Sequence, residues 1–229
     1  MRKLTSGIAA FFLLFGLGVN SSFADAMDFS IGVSGNYAGY AATGIETHDN
    51  ATNKNKEEHG AFDSTHPSFF VELDLGMVSV GVDYVPTSIS TPQATNVQGT
   101  GADPTNSTKL TNNVEADFDD HIMLYALIDL PWYGLYLKGG FSQVEIITKE
   151  SLGTGGAYGN ADTNGMHAGF GAGFEIGDNI FIRGELMVSD YDNASATSST
   201  LDSGEATAKK VEIKDMWGAN ATISLLKTF

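Results

Sequence analysis

Six acids and two bases fall on the small, polar side of alternating stretches: Glu72, Asp74, Asp83, Asp129, Glu175 and Glu185, with Lys138 and Arg183. In a strand, successive side chains point to opposite faces, so each alternating set occupies one face. Glu72, Asp83, Lys138, Arg183 and Glu185 each lie about four to six residues from a short turn. At ~3.3 Å rise and ~40° tilt they share one height, roughly 10–15 Å above the turns. Acids and bases confined at one height pair with each other, or line a path for cations. The plainer reading is a layer of ion pairs that fills an interior. The sharper one is a narrow, cation-preferring pore, because acids outnumber bases. Asp74, Asp129 and Glu175 lie nearer the turns and are expected at the mouth of the lumen.

Other residue types invite chemistry and carry less. His121, His167, Ser142 and Ser189 share the polar face, a combination that suggests acyl transfer. An enzyme that modifies lipid must present such groups to the lipid, on the apolar side, whereas these share the polar face, so no catalytic residue is expected. Gly169-x-Gly171-x-Gly173 lies within a strand, whereas a dinucleotide motif needs a strand-to-helix turn. These glycines are expected to make room for Tyr136 or Phe181. His48, His59, Asp63 and His66 are too loosely spaced to specify a metal. Asp117-Phe-Asp-Asp120 and Asp190-Tyr-Asp-Asn193 lack EF-hand spacing. The expectation is no metal and no cofactor.

The elements that position these residues are strands. Apolar and polar residues alternate over Met27–Tyr40, Ser68–Met77, Val78–Tyr84, Phe118–Leu130, Leu135–Ile147, Gly165–Ile176, Ile180–Ser189 and Val211–Phe229. The fifth pattern blurs from Val144 to Ile147, as a β-bulge or a strand running past a bilayer would make it. Between the strands, polar stretches over Gly44–Phe62, Thr87–Asn113, Ser151–Asn164 and Asp192–Ala208 read as long loops. Short turns at Gly76-Met77, Pro131–Gly134 and Gly177–Asn179 alternate with them. The apolar faces are almost free of charge, with Lys227 the exception.

The 229 residues include 28 Asp and Glu, 12 Lys and Arg and no Cys, for a formal charge of −16. That charge excludes nucleic acid as a partner, since binding it needs basic patches. Without Cys there is no disulfide framework. At the N-terminus, Arg2 and Lys3 precede the apolar run Ile8–Val19, and small residues follow. This is the pattern of a cleavable signal peptide, with cleavage after Ala24 or Ala26. Residues 1–24 are assigned to the signal and 25–229 to one domain.

The whole mature chain resembles the small OmpA-like or opacity-type outer-membrane β-barrels of Gram-negative bacteria. Leu135-Tyr-Leu-Lys-Gly-Gly-Phe141, Gly169-Phe-Gly-Ala-Gly-Phe174, the Gly177-Asp-Asn179 turn with Arg183-x-Glu185 after it, and the terminal Phe229 carry the resemblance. It implies an all-β, eight-stranded antiparallel transmembrane up-and-down barrel, with short periplasmic turns and long extracellular loops. It also implies the cell outer membrane as location. Implied partners are outer-membrane lipid, lipopolysaccharide, the barrel-assembly machinery that reads Phe229, and extracellular ligands at the loops. The expected function is non-enzymatic: surface-loop display with at most a narrow ion-conducting lumen. A small-solute channel and a lipid-A-modifying enzyme are its rivals.

Overall fold

The computed structural model describes residues 28–47, 56–100, 108–153, 157–199 and 208–229. The signal segment, both cleavage candidates and His48 lie outside them. Eleven strands form in the order β1 (Asp28–Thr47), β2 (Lys56–Asp74), β3 (Val78–Tyr84), β4 (Ile89–Ser90), β5 (Ala94–Thr100), β6 (Thr108–Asp129), β7 (Leu135–Leu152), β8 (Ala161–Gly177), β9 (Ile180–Tyr191), β10 (Ala194–Thr197) and β11 (Lys210–Thr228). Neighbours pair antiparallel in the sequence β1-β2-β3-β6-β7-β8-β9-β11, and β11 pairs back onto β1. Eight strands therefore close a ring. The short β4 and β5 pair with β6, and β10 pairs with β11.

The strand phase comes straight from the alternation. Ile31, Val33, Phe69, Leu124, Leu137, Phe141, Met166, Phe170, Leu186, Ile223 and Leu225 all point outward and are exposed, Ile223 at 67%. Ser34, Asn36, Ser68, Glu72, Tyr125, Lys138, Glu185, Thr222 and Ser224 point inward and are buried. An apolar outside around a polar inside suits a hydrocarbon solvent, where only a closed barrel satisfies the backbone with strands. Trp217, Tyr37 and Tyr84 stand on the outer wall, as interfacial aromatics do.

The turn end is tight. Leu130 N–H bonds Leu135 O at 2.8 Å, and Phe229 N–H bonds Phe29 O at 2.8 Å. Gly134 takes φ +67°, and a Cβ there would lie 2.2 Å from Gly173 O, so the turn requires glycine. Lys227, the charge on the apolar face, donates to Asp178 O in the neighbouring turn and so leaves the lipid zone.

At the opposite end the strands run further than the alternation predicts. β1 continues to Thr47, β2 starts at Lys56, β6 at Thr108, β7 ends at Leu152 and β8 starts at Ala161. Much of the first two expected long loops is therefore strand. Beyond a bilayer both faces of a strand meet polar surroundings or a cavity, so the contrast between faces that reveals a strand fades. The blurred stretch Val144–Ile147 is regular. The irregularity lies opposite it on β6, where the register with β7 jumps between Asp119 and Ile122 and Asp120 takes φ 49°. A second jump, between β1 and β11, falls at Asp215, also at φ 49°. These two β-bulges swap which residues face inward. Below Asp120, Met123, Tyr125 and Leu127 are buried; above it, Val114, Ala116 and Phe118 line the interior. On β11 the inward set changes from Met216, Asn220, Thr222 and Ser224 to Ile213 and Val211.

Candidate functional site

Four of the five expected lumen ions form two interlocked pairs. Arg183, on β9, reaches across the barrel to Glu72 on β2 through two hydrogen bonds of 2.8 Å. Lys138, on β7, donates to Glu185 at 2.8 Å. Tyr125 Oη donates to Glu72 at 3.1 Å, and Tyr136 Oη donates to Glu185 at 2.7 Å. Each tyrosine also carries the cation of the other pair: Lys138 lies 4.2 Å from the Tyr125 ring centre and Arg183 5.5 Å from that of Tyr136. The fifth residue, Asp83, accepts a 2.9 Å hydrogen bond from Ser68 instead of pairing with a base.

Glycines admit the large rings. A Cβ at Gly171 would fall 2.5 Å from the Tyr136 ring, one at Gly81 2.4 Å from Tyr125, and one at Gly169 2.4 Å from Met187. The glycine run thus accommodates Tyr136 and Met187; Phe181 is not among its neighbours. Expected mouth residues behave differently. Asp74 accepts from Gly76 N at 2.7 Å and Glu175 from Asn179 N at 3.2 Å, so both shape turns. Asp129 ends β6 at the exposed rim.

Above the ion pairs lies a neutral polar network. His167 bonds Ser142 and Ser189, both at 2.7 Å, and its ring stacks on His121 at 6.2 Å. Ser142 is 0% exposed, out of reach of a substrate. On the β1–β11 side, Asn36 accepts from Thr222 at 2.7 Å, and Ser34 and Ser224 share a 2.9 Å bond. The space left among all these side chains is about 40 Å³, room for a water or two. Of the first-loop metal candidates, His59 contacts Thr43, while His66 faces the lumen next to Asn36. Among the described residues no group of three His, Asp or Glu could hold a metal ion.

A roof of rings closes the lumen. Tyr40 (β1), Phe62 (β2) and Phe118 (β6) stack in a row, with centres 5.2 and 6.0 Å apart. Over them opens a cavity of about 440 Å³, walled by Ile89, Val144, Ile213 and Met216. A second space of about 560 Å³ continues above, lined by Ile146, Val211 and Val114. The bulges create this apolar chamber: without them Asp117, Asp119, Glu212 and Lys214 would face inward. Sequence reasoning missed it. No change of parity in the sequence betrays it: apolar residues of β6 keep even positions throughout, yet Ala116 and Phe118 face the chamber while Leu124 and Ile128 face outward.

The chamber has an incomplete wall. β2 pairs with β3 only from Phe69 to Asp74. From Lys56 to Ser68 its outer edge faces β4 and β5, which pair only with β6. Among the described residues, no backbone ladder crosses this seam. Pro67 stands at its base, where proline has no N–H to donate. Glu58–Phe62 and Ile89–Ala94 line the chamber from its two sides.

On the outer surface above the apolar belt, Asp117 accepts from Ser90 at 2.7 Å and pairs with Lys149. Burial would raise the Asp117 carboxyl. Hydrogen bonds from Lys149 and Ser90 and the Lys149 charge outweigh burial and hold it below the usual carboxylate range.

A closed ring of eight antiparallel strands, polar and filled within and apolar without, is a β-barrel of the outer-membrane type. The outer membrane protein OprG from Pseudomonas aeruginosa has this fold, with a TM-score of 0.52 at 15% identity over 89% of this chain and 96% of its own. The outer membrane protease OmpT from Escherichia coli overlaps with a TM-score of 0.48 at 11% identity, over 88% of this chain and 97% of its own. No protein-family model matches the chain, and no curated protein matches it in sequence.

Proposed function

We propose that the protein is a non-enzymatic outer-membrane barrel that takes small apolar solutes into its outer chamber. It releases them sideways through the β2–β4 seam into the lipid. The observation that carries this reading is the contrast between two compartments. The membrane-level lumen retains about 40 Å³ among paired ions, whereas the chamber above offers about 440 Å³ of mostly apolar space beside an unladdered wall. Pockets of a few hundred Å³ with apolar walls are those that hold small molecules. An ion path down the axis would have to break both ion pairs and part the ring roof. The full enclosure of Ser142 argues against catalysis, because its hydroxyl has no open face for a substrate. Residues 1–24 direct export, and Phe229 is the residue offered to the assembly machinery.

Uptake of an apolar fluorescent dye into proteoliposomes tests the reading. The chain has no Cys, so cysteines placed at Ala61 and Thr91, which line the chamber from the two sides of the seam, can be joined specifically by a reducible bifunctional thiol reagent. Cross-linking should slow dye entry and reduction restore it, while single-channel conductance stays at baseline throughout. Dye entry indifferent to the closed cross-link would rule out the lateral route.

A further inference from the structure

Resting on the chamber reading, we propose that the solutes are neutral aromatic molecules of one or two fused rings, selected by the Tyr40–Phe62–Phe118 row. The three rings come from three different strands, yet lie within 28° and 18° of parallel with their neighbours. Each is only half-buried and lines the chamber, so the row keeps open surface towards the cavity. The Phe62–Phe118 contact also spans the seam: Phe62 belongs to the free-edged part of β2, and Phe118 pairs with Ile89 of β4. A solute moving from chamber to seam therefore passes over it. Above the rings the walls are Ile89, Val144, Ile213 and Met216. Aliphatic walls reward any apolar surface in proportion to its area and cannot tell a flat ring from a chain. Stacked rings can, because offset ring–ring contact adds attraction beyond the area buried. The thioether of Met216 adds a second contact that favours rings. Glu58 stands on the wall of this cavity and repels anionic aromatics, while the Ile89, Val144, Ile213 and Met216 walls make any charged ring costly to desolvate.

The test compares naphthalene with decalin, its saturated counterpart of similar size. Binding of each radiolabelled hydrocarbon to the full-length mature barrel in nanodiscs is measured, with empty nanodiscs subtracted. Naphthalene should bind about 2- to 10-fold more tightly, the range that one or two ring contacts confer. Phe62→Leu/Phe118→Leu, which keeps apolar volume and removes the rings, should abolish the preference and retain decalin binding. Equal affinity of the wild-type barrel for both hydrocarbons would overturn the aromatic selection while leaving the chamber reading intact. Binding of neither would overturn both. If the double variant does not fold, the wild-type comparison alone decides.

Discussion

Arg183 and Glu72 are 111 residues apart in sequence and meet as a two-bond ion pair across the barrel interior, each bond 2.8 Å long. The guanidinium fork matches both carboxylate oxygens, a geometry a lysine cannot reproduce. Tyr125 fills a further acceptor position on Glu72. Removing the cation would leave a carboxylate enclosed with a single neutral donor.

Arg183→Ala should therefore lower stability by roughly 3–5 kcal/mol, the penalty for an orphaned buried charge. Arg183→Ala/Glu72→Gln should recover part of it. Urea titration of the refolded barrel, followed by heat-modifiable gel mobility, measures both. An unchanged midpoint for the single variant would refute the pair's structural role.

Gly171→Ala should lower stability by about 1–3 kcal/mol, because the new methyl meets the Tyr136 ring at 2.5 Å and Gly184 O at 2.8 Å. Gly35→Ala is the control, with nothing within 4 Å of its Cβ, and should be near neutral. Thermal unfolding of the two proteins side by side gives the comparison.

The Asp117–Ser90–Lys149 link predicts a pH dependence. Its carboxyl is lowered in the folded state, so its contribution is fully present above the ordinary value of about 4. It is lost as pH falls through the lowered value. The stability difference between wild type and Asp117→Asn should thus be largest near neutrality and shrink below about pH 4. A difference that stays constant down to about pH 3 would show that the link does not titrate as described.

Deleting Asp120 should restore simple alternation through β6. Asp117 and Asp119 would then turn inward in place of Ala116 and Phe118, and the chamber would lose its apolar character. Uptake of apolar dye should fall to the level of empty liposomes while the barrel still shows heat-modifiable mobility. Full uptake in the deletion protein would mean that the bulge does not set the chamber's lining.

The membrane zone was legible because lipid outside and ion pairs inside give its strands strong contrast between faces. Phe69-Val-Glu-Leu-Asp and Leu135-Tyr-Leu-Lys, written in single residues, already separate the two walls. A shared layer for Glu72, Lys138, Arg183 and Glu185 followed from their common height; which acid meets which base did not, because height alone leaves both Glu72 and Glu185 open to Arg183. Asp83 did not follow, since nothing local indicates that Ser68 would satisfy it. The strand extensions at the long-loop end were hidden because Lys56–Gly60 or Thr108–Asn113 alternate little. The chamber was hidden for a sharper reason. Each bulge inserts one aspartate into a polar stretch, and one residue shifts every side chain beyond it to the other wall.

That shift divides the hereditary record of the wall. On β11, Asn220, Thr222 and Ser224 line the sealed lumen while Met216, Ile213 and Val211 line the chamber; on β6, Met123 and Tyr125 face the lumen while Ala116 and Phe118 face the chamber. Substitutions that retune the chamber for a new solute therefore fall on residues that never touch the ion pairs. The upper compartment can change its lining without disturbing the ion pairs of the lower one.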